Sequence, residues 1–280
     1  MGAPWFKIYQ KRFGVSGMKK PSVKIKAQRY ASRALLPALS VICTPPSLLS
    51  VKKALFIQPH PDDNQIGAGG TIARLVASGA EVYELTVLDD RITDRTYNGT
   101  GLTVRQKEAL EAQKILGMKN AGFLGFCDRT ECSAREISKK IVEVIREIRP
   151  DAVFSVDPNM LNECHEDHIK VGTAVKYAFM DSGFDFYPEY VNNEPRTDVF
   201  RPKMLALYYT DRPNTAVDIA DYEELKFKAI KAHVSQRDPI IETALKLQAQ
   251  YFAKETPYES AEVFRVLGSM HAHCFNLPVE

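Results

Sequence analysis

The chain has 280 residues, of which 45% are hydrophobic and 26% are charged. This composition is typical of a folded globular protein and disfavours a disordered or fibrous chain. The net charge of +2 is too small to indicate nucleic acid as a partner. The length is sufficient for one large α/β domain or two small ones.

Residues 1–50 differ from the rest of the chain in their charge. They contain nine Lys or Arg residues and no Asp or Glu. A basic arm can bind phosphate or anionic lipid, but it is more often a solvated surface. The most apolar run here, Ala34–Cys43, has about ten residues, whereas a membrane-spanning helix needs about 20. We therefore predict a basic N-terminal extension over residues 1–50, a single domain over 51–280, and no membrane span.

The five cysteines are odd in number and include no Cys-x-x-Cys pair. This pattern favours reduced thiols over a disulfide framework and predicts a cytoplasmic protein. Cys164 stands beside His165, and we interpret it as a loop thiol rather than a soft metal ligand.

From residue 53 onward, short apolar segments alternate with segments of helical periodicity. The apolar segments predict strands at Lys53–Gln58, Glu81–Leu88, Gly122–Phe126 and Asp151–Val156. The segments between and after them predict helices at Ile66–Ser78, Ile137–Ile148 and Ile169–Met180. Thr103 is predicted as the N-cap of a further helix that ends at Leu116. Such alternation indicates an α/β fold with a mostly parallel sheet covered on both faces.

The alternation stops after Gly183. Residues 184–202 are rich in aromatic residues, Pro and Asn, and they predict a long loop. The elements predicted beyond it are strands at Met204–Tyr209, Ala216–Ile219 and Val263–Leu267, and helices at Asp221–His233 and Ile240–Lys254.

Two short polar segments contain three of the six histidines of the chain. Pro59-His60-Pro61-Asp62-Asp63 follows the first predicted strand, and His165-Glu166-Asp167-His168 follows the fourth strand after a loop. In a parallel α/β sheet, ligands bind beyond the carboxyl ends of the strands. Both segments are therefore expected to contribute to one site.

The spacing within the two segments favours a metal site. His60 and Asp63 can converge on one ion across a turn stiffened by two prolines, and His165 and His168 lie one helical turn apart. Two imidazoles and a carboxylate match a catalytic zinc site, which lowers the pKa of water to about 7. Other divalent metals, including ferrous iron, accept the same donors. Asp62 remains as the carboxylate that acts as general base.

Each segment also has a purely structural interpretation. Asp62 or Asp63 can cap a helix that begins near Ile66, and Asp167 can cap a helix that begins at His168. A lone loop histidine is more often a surface residue than a ligand. The expected position of both segments at one edge of the sheet favours the metal site.

A dinucleotide-binding protein is the alternative class of function. Gly67-Ala68-Gly69-Gly70 opens a helix after the first strand, and Asp89 and Asp90 end the second strand. These features are similar to a Rossmann dinucleotide site, but the G-x-G-x-x-G spacing is absent. The glycines are better interpreted as residues that allow close backbone packing.

The chain resembles the PIG-L/LmbE family of zinc-dependent de-N-acetylases, and the two histidine segments are the main evidence for this. Further matches are Gly67-x-Gly69-Gly70, Arg105 with Lys107-Glu108, Leu124-Gly125-Phe126-x-Asp128, and Arg149-Pro150-Asp151. The resemblance covers roughly residues 52–270. The segments Ala206–Thr210 and Lys228–Gln236 are most similar to the diacetylchitobiose and N-acetylglucosamine deacetylases within the family.

This resemblance implies a Rossmann-like three-layer fold and a single deacetylase domain. The implied reaction removes the N-acetyl group from an N-acetylglucosamine-containing sugar and gives acetate and a free amine. A thiol-precursor glycoside is the alternative substrate within the family. The resemblance also implies that His60, Asp63 and His168 hold zinc.

The resemblance assigns roles to three further residues in the two segments. Asp62 is implied as the general base. His165 is implied to polarise the acetyl carbonyl and stabilise the oxyanion. Asp167 is implied to hold His165 in position.

The implied substrate contacts lie elsewhere in the chain. Arg105 and Asp128 are expected near the sugar, and His273 is expected to reach a site in a neighbouring subunit, because this subfamily tends to form homo-oligomers. Two residues depart from the family pattern. Asn64 stands where Glu is common, and Glu166 replaces a common Pro.

Overall fold

The structure is a computed structural model that describes residues 22–31 except 25 and 29, and residues 41–90, 101–188, 195–236, 238–274 and 279. Two compact units divide the chain, Met1–Thr44 and Pro45–Glu280. Most of the predicted basic extension, including residues 34–40 of its apolar run, lies outside the described residues. The predicted boundary at residue 50 stays a prediction.

The second unit contains a sheet between two layers of helices. The strands are β1 (Lys53–Gln58), β2 (Glu81–Leu88), β3 (Lys119–Phe126), β4 (Ala152–Val156), β5 (Met204–Tyr208), β6 (Thr215–Asp218) and β7 (Ala261–Gly268). The α-helices are α1 (Asp63–Ala77), α2 (Val104–Leu116), α3 (Ala134–Ile148), α4 (Glu166–Asp181), α5 (Glu223–Lys231) and α6 (Ile241–Ala253). No described helix is both long enough and apolar enough to cross a membrane.

The strand order is β3-β2-β1-β4-β5-β7-β6. The first five strands along the chain pair in parallel, β7 runs antiparallel to β5, and β6 runs antiparallel to β7. The order reverses between β1 and β4, and this is where a parallel α/β sheet opens a crevice for ligands. The α/β, Rossmann-like three-layer fold is therefore confirmed.

The central strand β1 shows why the sheet is covered on both faces. Ala54 and Phe56 belong to the core beneath α1, α2, α5 and α6, whereas Leu55 and Ile57 belong to the core beneath α3 and α4. Successive side chains of a strand point to opposite faces, so both faces are apolar when both are covered. This explains the continuous apolar run that predicts the strand.

The helix starts confirm the predictions at α2 but not at α1 and α4. Thr103 caps α2 through a capping box, as its position before the helix predicts. However, α1 begins at Asp63 and α4 at Glu166, three residues before the apolar residues Ile66 and Ile169 where we predicted them. The first turn of each helix is polar because it belongs to the site, so hydrophobic periodicity does not reveal it.

A buried polar network supports the first turn of α1. The Glu84 carboxylate on β2 is fully buried and accepts hydrogen bonds from the side-chain amides of Asn64, Gln65 and Gln113 at 3.0, 2.8 and 2.9 Å. Burial raises the pKa of Glu84. The Tyr208 hydroxyl donates to the Asn64 side-chain oxygen at 2.9 Å. Asn64 therefore fits this environment as a group that both donates and accepts hydrogen bonds.

Asn64→Glu should destabilise the fold, because it places a second carboxylate beside the buried Glu84. We expect the free energy of unfolding to fall by about 2–4 kcal/mol, measured by urea denaturation. Adding Glu84→Gln to this variant removes the repulsion and should restore part of the loss. A single variant as stable as the unmodified protein would contradict this account of Asn64.

Candidate active site

The polar segments meet at the carboxyl edge of the parallel strands, where the strand order reverses. The loop after β1 provides His60 and Asp62, and Asp63 is the first residue of α1. The loop after β4 ends at His165, which occupies the N-cap position of α4, and His168 lies in the first turn of that helix. The ends of β2 and β3 and the start of α2 complete the site with Asp90, Asp128 and Arg105.

Three imidazoles form a cluster in this site. The ring centroid of His165 lies 4.8 Å from that of His60 and 4.7 Å from that of His168. One ring nitrogen from each histidine lies within 4.8 Å of the others. The structure thus brings together the histidines of two segments that are about a hundred residues apart in the sequence.

The Asp63 carboxylate bridges two of these rings. One oxygen lies 3.5 Å from His60 Nδ1, and the other lies 3.4 Å from His168 Nε2. Burial opposes ionisation of Asp63, but the contacts with His168 and His60 hold its pKa well below the usual range. Glu163 accepts a hydrogen bond from His168 Nδ1 at 2.9 Å, and this bond leaves Nε2 directed at Asp63.

These donors fit a divalent metal ion. Imidazole nitrogen and carboxylate oxygen are the ligand types of catalytic zinc sites, and a carboxylate on the far nitrogen of a histidine is a usual support for such a ligand. The group of imidazoles that can hold a metal includes His165 beside His60 and His168. The predicted set of His60, Asp63 and His168 is compatible with the contacts of Asp63, and it stays a prediction.

Asp62 lies beside this cluster with a different environment from Asp63. Its Oδ1 accepts a hydrogen bond from Arg105 Nη2 at 2.8 Å, and Arg105 Nη1 lies 3.3 Å from Asp90 Oδ1. Burial and the neighbouring Asp63 raise the pKa of Asp62 to about 6, although Arg105 opposes this shift. A carboxylate with a pKa near neutrality is suited to proton transfer as a general base.

Two residues with left-handed backbone direct N–H groups at carboxylates of the site. Asp90 has a φ of 58°, and its N–H donates to Asp128 Oδ1 at 3.0 Å. Arg129 has a φ of 55°, and its N–H donates to the two Asp167 oxygens at 3.0 and 3.1 Å. Burial, followed by the contact with the Asp90 side chain, raises the pKa of Asp128 to about 6, although the Asp90 backbone N–H opposes this shift. Such conformations are uncommon for non-glycine residues and cluster at functional sites.

Asp167 contacts the histidine cluster through His60. Its Oδ2 lies 3.3 Å from His60 Nε2. Burial opposes ionisation of Asp167, but this contact and then the hydrogen bonds from the Arg129 backbone N–H lower its pKa. These contacts orient His60. The expected support of His165 by Asp167 stays a prediction.

A cavity of about 380 Å³ brings most of the predicted site residues together. Those that line it are His60, Asp62, Asp63, Arg105, Asp128, His165, Asp167 and His168. The ninth, His273, is exposed in the segment after β7 and is not among the described residues that line the cavity. Its expected role in a neighbouring subunit stays a prediction.

Three residues near the site were not selected from the sequence. Glu163 lies in the loop before the second segment, and only its position five residues before His168 could have suggested a contact. Asp90 ends the second predicted strand, and nothing in the sequence indicates its contact with Arg105. His233 appeared only within a matching segment, although it is buried in the structure.

The glycines after the first segment pack α1 against its neighbours. A Cβ atom at Gly67 would overlap the Tyr208 ring, and one at Gly70 would lie 2.7 Å from Ile219 side-chain atoms. These positions require glycine because other elements approach the helix closely. The dinucleotide-binding alternative is therefore not favoured.

The fold and this cluster define an α/β enzyme with a candidate metal centre. Residues 55–179 match the family model described as PIG-L: GlcNAc-PI de-N-acetylase. Diacetylchitobiose deacetylase of Thermococcus kodakarensis is 35% identical over 232 residues, which cover 80% of this chain and 86% of that protein. The chain therefore belongs to the PIG-L family of deacetylases, as the resemblance in its sequence indicated.

Two further relatives extend this comparison. The structure of N,N'-diacetylchitobiose deacetylase from Pyrococcus horikoshii, complexed with its inhibitor MPG, matches with a TM-score of 0.74 and 29% identity over 92% of this chain and 98% of that one. A probable N-acetyl-alpha-D-glucosaminyl L-malate deacetylase 2 of Bacillus cereus is 28% identical over 68% of this chain and 86% of that protein. The relatives that match this chain are thus named for different glycosides.

His168→Ala should lower the metal affinity more than about tenfold, because it removes a donor from the cluster. The measurement is elemental analysis after dialysis against a zinc buffer. His165→Ala distinguishes the predicted ligand set from the set of three imidazoles. This variant should keep its metal if His60, Asp63 and His168 are the ligands. His273→Ala is the control, and full metal content in His168→Ala would contradict the assignment.

Proposed function

We propose that this protein is a zinc-dependent deacetylase that acts on an N-acetylglucosamine unit of a small, chitobiose-type sugar. It removes the acetyl group and yields acetate and a free amine. The observation that carries this proposal is the position of Asp62, a carboxylate with a raised pKa, beside the cluster of imidazoles and Asp63. The diacetylchitobiose deacetylases among the relatives support the choice of sugar.

His60, Asp63 and His168 would hold the zinc ion. Zinc bound by these side chains would supply Lewis acidity, which polarises the amide carbonyl and promotes the ionisation of water. Glu163 and Asp167 contact the imidazoles of His168 and His60, and so fix the orientation of these rings. Other divalent metals accept the same donors, so metal identity is part of the test.

Asp62 performs the proton transfers in the proposed mechanism. Its carboxylate takes a proton from the attacking water, and the water oxygen forms a bond to the amide carbon. The protonated Asp62 then gives this proton to the amine nitrogen as the carbon–nitrogen bond breaks. Arg105 holds the carboxylate through its 2.8 Å hydrogen bond and so orients the base.

His165 stabilises the charge that develops on the carbonyl oxygen. Burial and the neighbouring His60 lower the pKa of His165, so its ring is neutral near pH 7. A neutral imidazole still carries one N–H, and this group donates a hydrogen bond to the oxyanion of the tetrahedral intermediate.

The sugar is held on the side of the cavity formed by Arg105 and Asp128. A carboxylate and a guanidinium accept from and donate to sugar hydroxyl groups. His273 is proposed to complete this side from a neighbouring subunit of a homo-oligomer. All five cysteines lie among the described residues and none of them forms a disulfide bond there, which supports the proposed cytoplasmic location.

Asp62→Asn should abolish acetate release while the protein keeps its metal. The amide is close in shape to the carboxylate but cannot accept the proton, so we expect kcat to fall by at least about a hundredfold. The assay uses N-acetylglucosamine, diacetylchitobiose and N-acetylglucosaminyl malate, and elemental analysis checks the metal. A variant that keeps most of its activity would rule out Asp62 as the base. If the unmodified protein prefers the malate glycoside, that glycoside replaces the chitobiose-type sugar as the proposed substrate.

Arg105→Gln should move the acid limb of the kcat profile to higher pH. Arg105 lowers the pKa of Asp62, and the base works only when ionised, so removal of the cation makes activity fall at a higher pH. Arg129→Gln is the matched control because Arg129 lines the same cavity without a hydrogen bond to Asp62 in the described structure. An unchanged acid limb in Arg105→Gln would contradict this pairing.

A further inference from the structure

A second cavity of about 400 Å³ adjoins the candidate active site. The two cavities share Asp62 and Ile66 as lining residues, so they meet beside the proposed base. The second cavity lies against α5, the start of α6 and the segment between them. Its other described lining residues are Phe227, Ile230, Lys231, His233, Gln236, Asp238, Pro239, Ile241 and Glu242.

The buried and half-buried part of this lining is mainly apolar. Phe227 is buried, and Ile66, Ile230 and Ile241 are half-buried. His233 is also buried, and because both of its ring nitrogens are inaccessible, its side chain offers the cavity no hydrogen-bonding group. A molecule in the second cavity would therefore meet mostly hydrocarbon surface near the junction with the active site.

The polar lining residues of α5, α6 and the segment between them are exposed or paired with one another. Lys231, Gln236 and Asp238 are exposed. Glu242 is half-buried, and its carboxylate accepts hydrogen bonds from Lys231 Nζ at 2.8 Å and from Lys246 Nζ at 2.9 Å. The charges of these residues are thus balanced within the protein or by water, and they need no ligand. An apolar interior with polar groups at its exposed side suits a hydrocarbon group.

The proposed position of the sugar leaves the second cavity to the acyl side of the amide. An amide carries its acyl carbon and its nitrogen on opposite sides of the carbonyl carbon. The sugar, which is attached to the nitrogen, is proposed to lie beside Arg105 and Asp128, and neither of these residues lines the second cavity. With the carbonyl carbon beside Asp62, an acyl chain continues past Ile66 into that cavity.

We propose that the second cavity binds the acyl chain of the substrate, and that the enzyme hydrolyses N-acylglucosamines whose acyl chain is longer than acetyl. This inference rests on the proposed deacetylase function and widens its substrate class. A volume of about 400 Å³ lies in the range of about 300–1,000 Å³ that is usual for small-molecule pockets, whereas an acetyl group brings only one methyl group.

The bonds that form and break are those of the proposed deacetylation. The water oxygen bonds to the carbonyl carbon as Asp62 takes its proton, and the carbon–nitrogen bond then breaks as Asp62 returns the proton to the amine nitrogen. The products are a carboxylic acid, which keeps the acyl chain, and a free amine. The length of the chain therefore affects binding and not the sequence of steps.

The first test compares kcat/KM for N-acetylglucosamine and for N-butyrylglucosamine, which has two more methylene groups. Each buried methylene favours binding by about fourfold, and ordering of the chain offsets part of this gain. We therefore expect kcat/KM to be about tenfold higher for the butyryl sugar. Both reactions release glucosamine, so one assay serves for both. A lower kcat/KM for the butyryl sugar than for the acetyl sugar would overturn the proposal.

Binding without turnover provides a second measurement. The Asp62→Asn variant is expected to be inactive, so both sugars can be titrated into it by calorimetry. The dissociation constant should be about tenfold lower for the butyryl sugar than for the acetyl sugar, because the same methylene groups leave water. Equal dissociation constants would contradict an acyl-binding cavity.

Ile230→Trp tests whether the second cavity is the part of the protein that binds the chain. The larger side chain should fill the cavity and lower the ratio of butyryl to acetyl kcat/KM by at least about tenfold. Ile241→Trp should have the same effect from α6 and serves if the first variant does not fold, which urea denaturation checks. Leu247→Trp is the control for bulk alone, since Leu247 is exposed on α6 outside the cavity lining.

The outcomes separate the acyl cavity from the deacetylase function. If the unmodified protein released glucosamine from the acetyl sugar but not from the butyryl sugar, the acyl cavity would be wrong and the function would stand. If it acted on neither of these sugars nor on diacetylchitobiose, both proposals would be overturned. If Ile230→Trp lowered kcat/KM for diacetylchitobiose and left the ratio of butyryl to acetyl unchanged, the cavity would belong to the sugar and the acyl proposal would be overturned.

Discussion

The carboxylate of Asp63 connects the two halves of the candidate active site. It reaches His60 in the loop after β1 and His168 at the start of α4, and it is almost completely buried. A buried charge needs paired partners, so the loss of either imidazole contact would leave this buried carboxylate incompletely paired. The network of Glu84 and Asn64 fixes the helical turn on which Asp63 stands. The chemistry of the site and the stability of this turn therefore depend on the same contacts.

The two adjacent aspartates show how position separates identical side chains into different roles. The imidazoles around Asp63 lower its pKa, whereas Asp62 faces the cavity, where burial and the charge of Asp63 raise its pKa. Asp63 is thus held in its ionised form, as a metal ligand must be, and Asp62 can exchange a proton near neutral pH. Arg105 limits the rise in the pKa of Asp62, because it stabilises the ionised form of Asp62 without neutralising Asp63.

The sequence predicts those parts of the fold that have a periodic pattern or a local signal. The strand β1 and the Thr103 cap of α2 are such cases, and the structure has them as expected. The start of α1 has no such signal in the sequence. Its first turn is held by contacts with Gln58 on β1 and Glu84 on β2, which depend on how the chain folds. The same reason applies to the site. Histidine and aspartate clusters are visible in the sequence, whereas the contact of Glu163 with His168 depends on how one loop folds.

The candidate active site and the cavity beside it are built from different parts of the chain. The residues matched by the PIG-L family model end at 179, and they include the histidine cluster, both aspartates of the first segment, Arg105 and Asp128. The cavity beside it has about 400 Å³ and shares Asp62 and Ile66 with the site. Its other lining residues lie within 227–242, beyond that match. A family can therefore keep one set of catalytic groups at the strand ends while the later helices vary the shape of the adjoining cavity.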